Sequence, residues 1–96
     1  MYAFSFEVPG TESMYEQVKA SVGEPPEGQL LLLVSRTAGG LRHLGVWRSR
    51  AEWEHYRDAT IRPAVAALLA KIGIPEPPAP VEQEVAVVDL QQPGRG

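Results

Sequence analysis

The chain is expected to fold as an α+β domain of order βαββαβ, a four-stranded antiparallel sheet with two helices on one face. Three observations lead there. Residues 2–8 alternate with period two, a strand signal. Ser13–Glu16 and Ser49–Glu52 have the S-x-x-E spacing that opens helices, and helical periodicity follows each. Between them lie two apolar runs, Gln29–Arg36 and Leu41–Arg48, joined by Thr37-Ala38-Gly39-Gly40.

In the first strand Tyr2, Phe4, Phe6 and Val8 share one face, with Ala3, Ser5 and Glu7 on the other. Pro9-Gly10 stops it. Thr11 or Ser13 then caps a helix whose Met14, Val18 and Val22 recur at i, i+4 and i+8, with Tyr15 on the flank. Gly23 suits a positive-φ ending, and Pro25-Pro26 prevents continuation. The run Gln29–Arg36 is short and apolar throughout, as in a strand covered on both faces. If Thr37–Gly40 is the turn, Val34 lies opposite His43, Leu32 opposite Gly45 and Leu30 opposite Trp47. The other face then carries Leu31, Leu33, Ser35, Arg42, Leu44 and Val46.

A second helix is expected over Arg50–Ile72, with Trp53, Tyr56, Thr60, Ala64, Leu68 and Ile72 along one stripe. Pro63 should break or kink it near Thr60–Arg62, because the ring removes an N–H and disfavours helical geometry at the preceding residue. Gly73 ends it. Ile74–Pro80 is a stiff connector, and Val81–Leu90 reads as the last strand. This order is the split βαβ, ferredoxin-like arrangement. One domain, residues 1–90, is followed by a flexible tail, 91–96.

With 96 residues, the domain removes about 65% of its unfolded surface from water, which leaves stability thin. Strands apolar on both faces need a second cover, and another copy of the sheet supplies one, so a homodimer is expected. Nine basic and twelve acidic side chains give a net charge of −3. Arginines alternate with acids and no basic run occurs, so nucleic acid is not an expected partner. Cysteine is absent. No segment approaches the roughly 18 consecutive apolar residues of a membrane span, and the amino terminus carries no leader pattern. A cytoplasmic protein with no membrane association is therefore expected.

Trp47-x-Ser49, the aromatic pair Trp53 and Tyr56, Arg62-Pro63-Ala64 and the Val8-Pro9-Gly10 turn resemble the dimeric α+β barrel superfamily, specifically its antibiotic-biosynthesis-monooxygenase-like branch. The resemblance implies two protomers paired through their sheets, each with a pocket between helices and sheet. It does not fix an activity, because the superfamily hosts several. Its haem-degrading members carry a first-strand asparagine, a tryptophan early in the second helix and a histidine farther along. Here Ala3 or Ser5, Tyr56, and Ala66 or Ala67 stand in those regions, so haem degradation is not expected.

His43 shares a strand face with Gly45 and Trp47, leaving a gap over Gly45 flanked by imidazole and indole. An ordinary pKa of about 6.5 suits a general base. Equally, Gly45 makes room for a large side chain and His43 is structural. Tyr56 either presents its hydroxyl to a ligand or packs in the core, and Trp53 staples the helix to the sheet or lines the pocket. The candidate catalytic residues are thus His43 and Tyr56, with Trp47, Trp53 and Ser5 as ligand-binding candidates. Glu7 is a second acid–base candidate if its face meets the helices. The middle third holds six arginines against three acids, a surplus that a partner's acidic last strand (Glu82, Glu84, Asp89) would balance. Neither histidine has the spacing of a metal ligand, so no metal or cofactor is expected. Two functional expectations follow. One is a non-catalytic or ligand-binding dimer, with a small aromatic ligand as the partner class. The other is a cofactor-independent monooxygenase-like enzyme acting on an aromatic polyketide or quinol-type molecule.

Overall fold

A computed structural model describes residues 1–93. It comprises β1 (Tyr2–Val8), α1 (Glu12–Val22), β2 (Gln29–Thr37), β3 (Gly40–Trp47), α2 (Arg50–Tyr56), α3 (Arg62–Ile72) and β4 (Gln83–Val85), with a π-helical turn, Arg57–Ile61, joining α2 to α3. The strands form one antiparallel sheet in the order β2-β3-β1-β4. With its helices against one face, the architecture is α+β and compatible with a ferredoxin-like fold. Among the described residues no helix is long and apolar enough to cross a membrane.

Local chemistry sets the element ends. Thr11, not Ser13, caps α1: its hydroxyl accepts from the Met14 amide at 3.2 Å. Gly23 closes that helix at φ 71°, and Gly73 closes α3 at φ 76°. At Ser49 half of the expected capping box forms, the hydroxyl accepting from the Glu52 amide at 3.2 Å. The Glu52 carboxylate turns instead to the Ser49 hydroxyl and the Arg48 guanidinium, an ionic partner that outbids a backbone amide.

The hairpin register places Val34 opposite His43 and Leu32 opposite Gly45, as the spacing suggests. A bulge at Gln29–Leu31 inserts one residue, so Gln29, not Leu30, faces Trp47. Pro63 does not break the second helix. The π turn widens the ladder just before it, with the Arg62 amide donating to the Arg57 carbonyl. The inserted residue shifts the buried stripe by one position. Leu69 is therefore the buried residue of α3, while Ile72, expected on the stripe, is 44% exposed.

The face of Tyr2, Phe4 and Phe6 meets the helices. Phe4, Trp47 and Trp53 form the buried cluster, with Tyr2, Phe6 and Tyr56 packed against it. The opposite face is graded. Its first row, Val85–Ala3–Val46–Leu31, includes Ala3 and Val46 at only 2% and 5% exposure. The next row holds Leu44 and the 55%-exposed Leu33. Beyond that come the Glu7–Arg42 ion pair and Ser35.

The chain itself covers the middle of the first row, Ala3 and Val46, and leaves Leu31 and Val85 exposed at its ends. Leaving β4 at one edge, it reaches the opposite edge, where the Gln92 side-chain amide donates to the Leu30 carbonyl at 3.2 Å. Three strand spacings are about 14 Å, and seven residues reach well beyond that. Val87 and Leu90 are half-buried along this strap. The last strand is consequently Gln83–Val85 rather than Val81–Leu90. Of the tail expected over 91–96, residues 94–96 lie outside the described residues.

Candidate functional site

The space over Gly45 is filled. A Cβ on Gly45 would stand 2.6 Å from Cζ of Phe4, so the glycine exists there to admit the ring of the neighbouring strand. Phe4 in turn stacks on Trp53 with centroids 4.2 Å apart, and Trp53 lies 5.6 Å from Trp47. The indole N–H of Trp53 donates to Glu82 at 3.1 Å. Trp53 is therefore a core pillar whose polar atom is satisfied within the chain, and it lines neither of the two clefts described below.

His43 stacks on Phe6 at 4.8 Å and meets Tyr15 edge-on at 5.6 Å. Burial pushes its imidazole pKa down, and Nδ1 is enclosed with no hydrogen-bond partner among the described residues. The ring is neutral at pH 7. Its surroundings are side chains of β1 and α1 rather than open space.

The opening lies elsewhere. A cleft of about 650 Å³ runs between the loop after α1 and the outer flank of α2. Tyr56 supplies its aromatic wall, and the buried Trp47 ring, 1% exposed, backs it with ring centroids 5.4 Å apart. Burial raises the Tyr56 phenol pKa, so the hydroxyl stays protonated and available as a donor. Glu24, Glu27, Glu52 and Arg48 surround the wall. Glu52 takes Arg48 in a 2.6 Å ion pair that lowers its own carboxyl pKa and raises that of the guanidinium. Gly28 lets the loop press in: a Cβ there would meet Glu52 and Trp47 at 3.2 Å.

A second cleft, about 380 Å³, lies between the start of α1 and the β2–β3 turn, and His43 lines neither. The structure thus places Tyr56 at one opening, with the buried Trp47 behind it, and leaves His43 and Trp53 in packed surroundings. Ser5 falls on the far face, between Leu44 and Gln83, across the sheet from the other four candidates. Glu7 shares that face and is paired with Arg42.

No protein-family model, curated protein or solved structure matches the chain. The functional reading therefore rests on the chemistry of the site.

The arginine surplus is balanced within the protomer. Arg36 pairs with Glu12, Arg50 with Glu54, and Arg62 with Asp58. Arg57 binds both Asp58 and Glu82, which holds its guanidinium firmly charged. Glu82 was expected to serve a partner; it serves its own helix. Sequence reasoning missed Glu24 and Glu27 as cleft residues. The acids beside Pro25-Pro26 were visible, but only tertiary packing brings that loop against α2.

Proposed function

We propose that the chain is a non-catalytic, ligand-binding homodimer of the dimeric α+β barrel type, related to the antibiotic-biosynthesis-monooxygenase-like branch. The strand order and the formed Ser49 cap after Trp47 support the family part. Leu31, Leu33 and Val85, together with Val88 on the strap, are exposed apolar residues that a second copy would cover. One observation carries the binding part. Phe4 occupies the space over Gly45, while Tyr56 borders an unfilled cleft within the usual size range for small-molecule sites.

A second reading, a cofactor-independent oxygenase for a quinol-type substrate, draws on the neutral, partnerless Nδ1 of His43. A neutral imidazole can accept a phenolic proton at its unprotonated nitrogen. That route needs the Phe6–His43–Tyr15 packing to open, and the binding reading needs no such rearrangement.

Titration with 4-ethylphenol, followed by tryptophan fluorescence, separates the two. The binding reading expects saturable quenching, at least about fivefold weaker binding in Tyr56→Ala, and no oxygen consumption with an anthrone or quinol. A titration without quenching up to millimolar ligand overturns it. Oxygen uptake that disappears in His43→Phe favours the enzyme instead.

A further inference from the structure

We propose that residues 74–81, the proline-rich segment between α3 and β4, are a docking rod for a protein domain whose groove carries aromatic-walled slots. This surface is separate from the cleft, and the inference stands without the ligand-binding reading above.

Sequence chemistry fixes the shape of the rod. Pro75, Pro77, Pro78 and Pro80 each hold φ at about −65°. Each also pushes the residue before it out of helical geometry and into extended backbone. The segment is thereby confined to a polyproline II course, and it forms neither helix nor strand. At roughly three residues per turn the side chains fall into three rows. Ile74, Pro77 and Pro80 make the first, Pro75, Pro78 and Val81 the second, and Glu76, Ala79 and Glu82 the third. Two neighbouring rows are wholly apolar.

The fold holds the ends of the rod and leaves its apolar rows in the open. Every residue from 74 to 81 is exposed, Ile74 to 47% and Val81 to 80%. Among the described residues no hydrogen bond ties 75–81 to the rest of the chain. At one end Gly73 turns left-handed and the Ile74 amide donates to the Leu69 carbonyl at 3.0 Å. At the other, Glu82 accepts from the Trp53 indole and from Arg57. A stiff segment pinned at both ends has little freedom left to lose on binding, which lowers the cost of association. A mere connector needs length, not apolar side chains held out in water at both ends.

The missing donors select the kind of partner. Four of the eight residues lack an amide N–H, so the rod cannot template an added β-strand. Recognition must go through its side-chain rows, which is how grooves lined with aromatic rings read polyproline II segments.

Titration of the isotope-labelled full chain with purified SH3, WW and EVH1 domains, followed by nuclear magnetic resonance, tests this. At least one domain should bind saturably, shifting the amides of Ile74, Glu76, Ala79 and Val81. Pro77→Ala/Pro80→Ala should weaken that binding at least about tenfold, as loss of buried anchors does. Val81→Ser, which keeps every proline and alters only an exposed side chain, should weaken it about threefold. No shift at these amides with any domain at millimolar concentration overturns the inference, as does binding that survives both variants. Shifts there that grow with the concentration of the chain alone would assign the rod to a second copy and overturn it as well.

Discussion

The Phe4 ring lies against both the bare backbone of Gly45 and the Trp53 indole, so three residues from three elements share one packing decision. Phe4→Ala should cost about 3–5 kcal/mol in urea denaturation, and Gly45→Ala about 1–3 kcal/mol through overpacking. The double variant should cost less than the sum, because the new methyl enters the space the ring vacates. His43 gives a pH signature. Its folded pKa is depressed, so its contribution to stability is complete above about pH 6.5, the unfolded value, and is lost as pH falls toward the folded pKa. His43→Phe keeps the stack on Phe6 and removes the titration. Its melting temperature should fall less than the parent's between about pH 6.5 and 5; parallel curves would show that His43 does not set this slope. The identities of these residues were legible in the sequence, as was the strand face that His43 shares with Gly45. Whether a ligand or Phe4 fills the gap over Gly45 was not, because that depends on which strand pairs with β3 and in what register, and only the fold sets Phe4 opposite Gly45.

At the scale of elements, the second helical rod shows how far periodicity reaches. Its start at Ser49, its end at Gly73 and the disturbance before Pro63 all follow from residue chemistry. The form of the disturbance does not. A break and a π turn both relieve the missing proline amide, and only the π turn moves burial to Leu69. The last strand was overextended for a related reason. Apolar residues at 85–90 suit a strand, yet beyond Val85 they serve as a crossing strap with no ladder partner. Glu82 joins these elements by accepting from both the Trp53 indole and Arg57. Glu82→Ala would strand a buried indole N–H, which costs about 1–3 kcal/mol. Glu82→Gln, which can still accept, should lose less. Equal losses in the two variants, read by chemical denaturation, would show that the hydrogen bond to Trp53 contributes nothing.

For the whole molecule, the sheet acts as a dividing wall. The helix side is packed with aromatic rings, and on the far side the chain's own strap covers the middle of one row, Ala3 and Val46. The sequence showed that both faces are apolar, and so that a single layer of helices leaves one uncovered. It did not show that the strap would cover Ala3 and Val46 within the same protomer, because nothing local in Ala86–Gln92 directs it across the strands. The remaining patch of Leu31, Leu33, Val85 and Val88 is the surface assigned to the second copy in the proposed dimer. Sedimentation velocity of the full chain and of Leu33→Glu at micromolar concentrations tests this account most directly. The full chain should sediment at twice the protomer mass, and the variant at the protomer mass with an unchanged far-ultraviolet spectrum. A full chain that stays monomeric at hundreds of micromolar, or a variant that dimerises equally well, would contradict it.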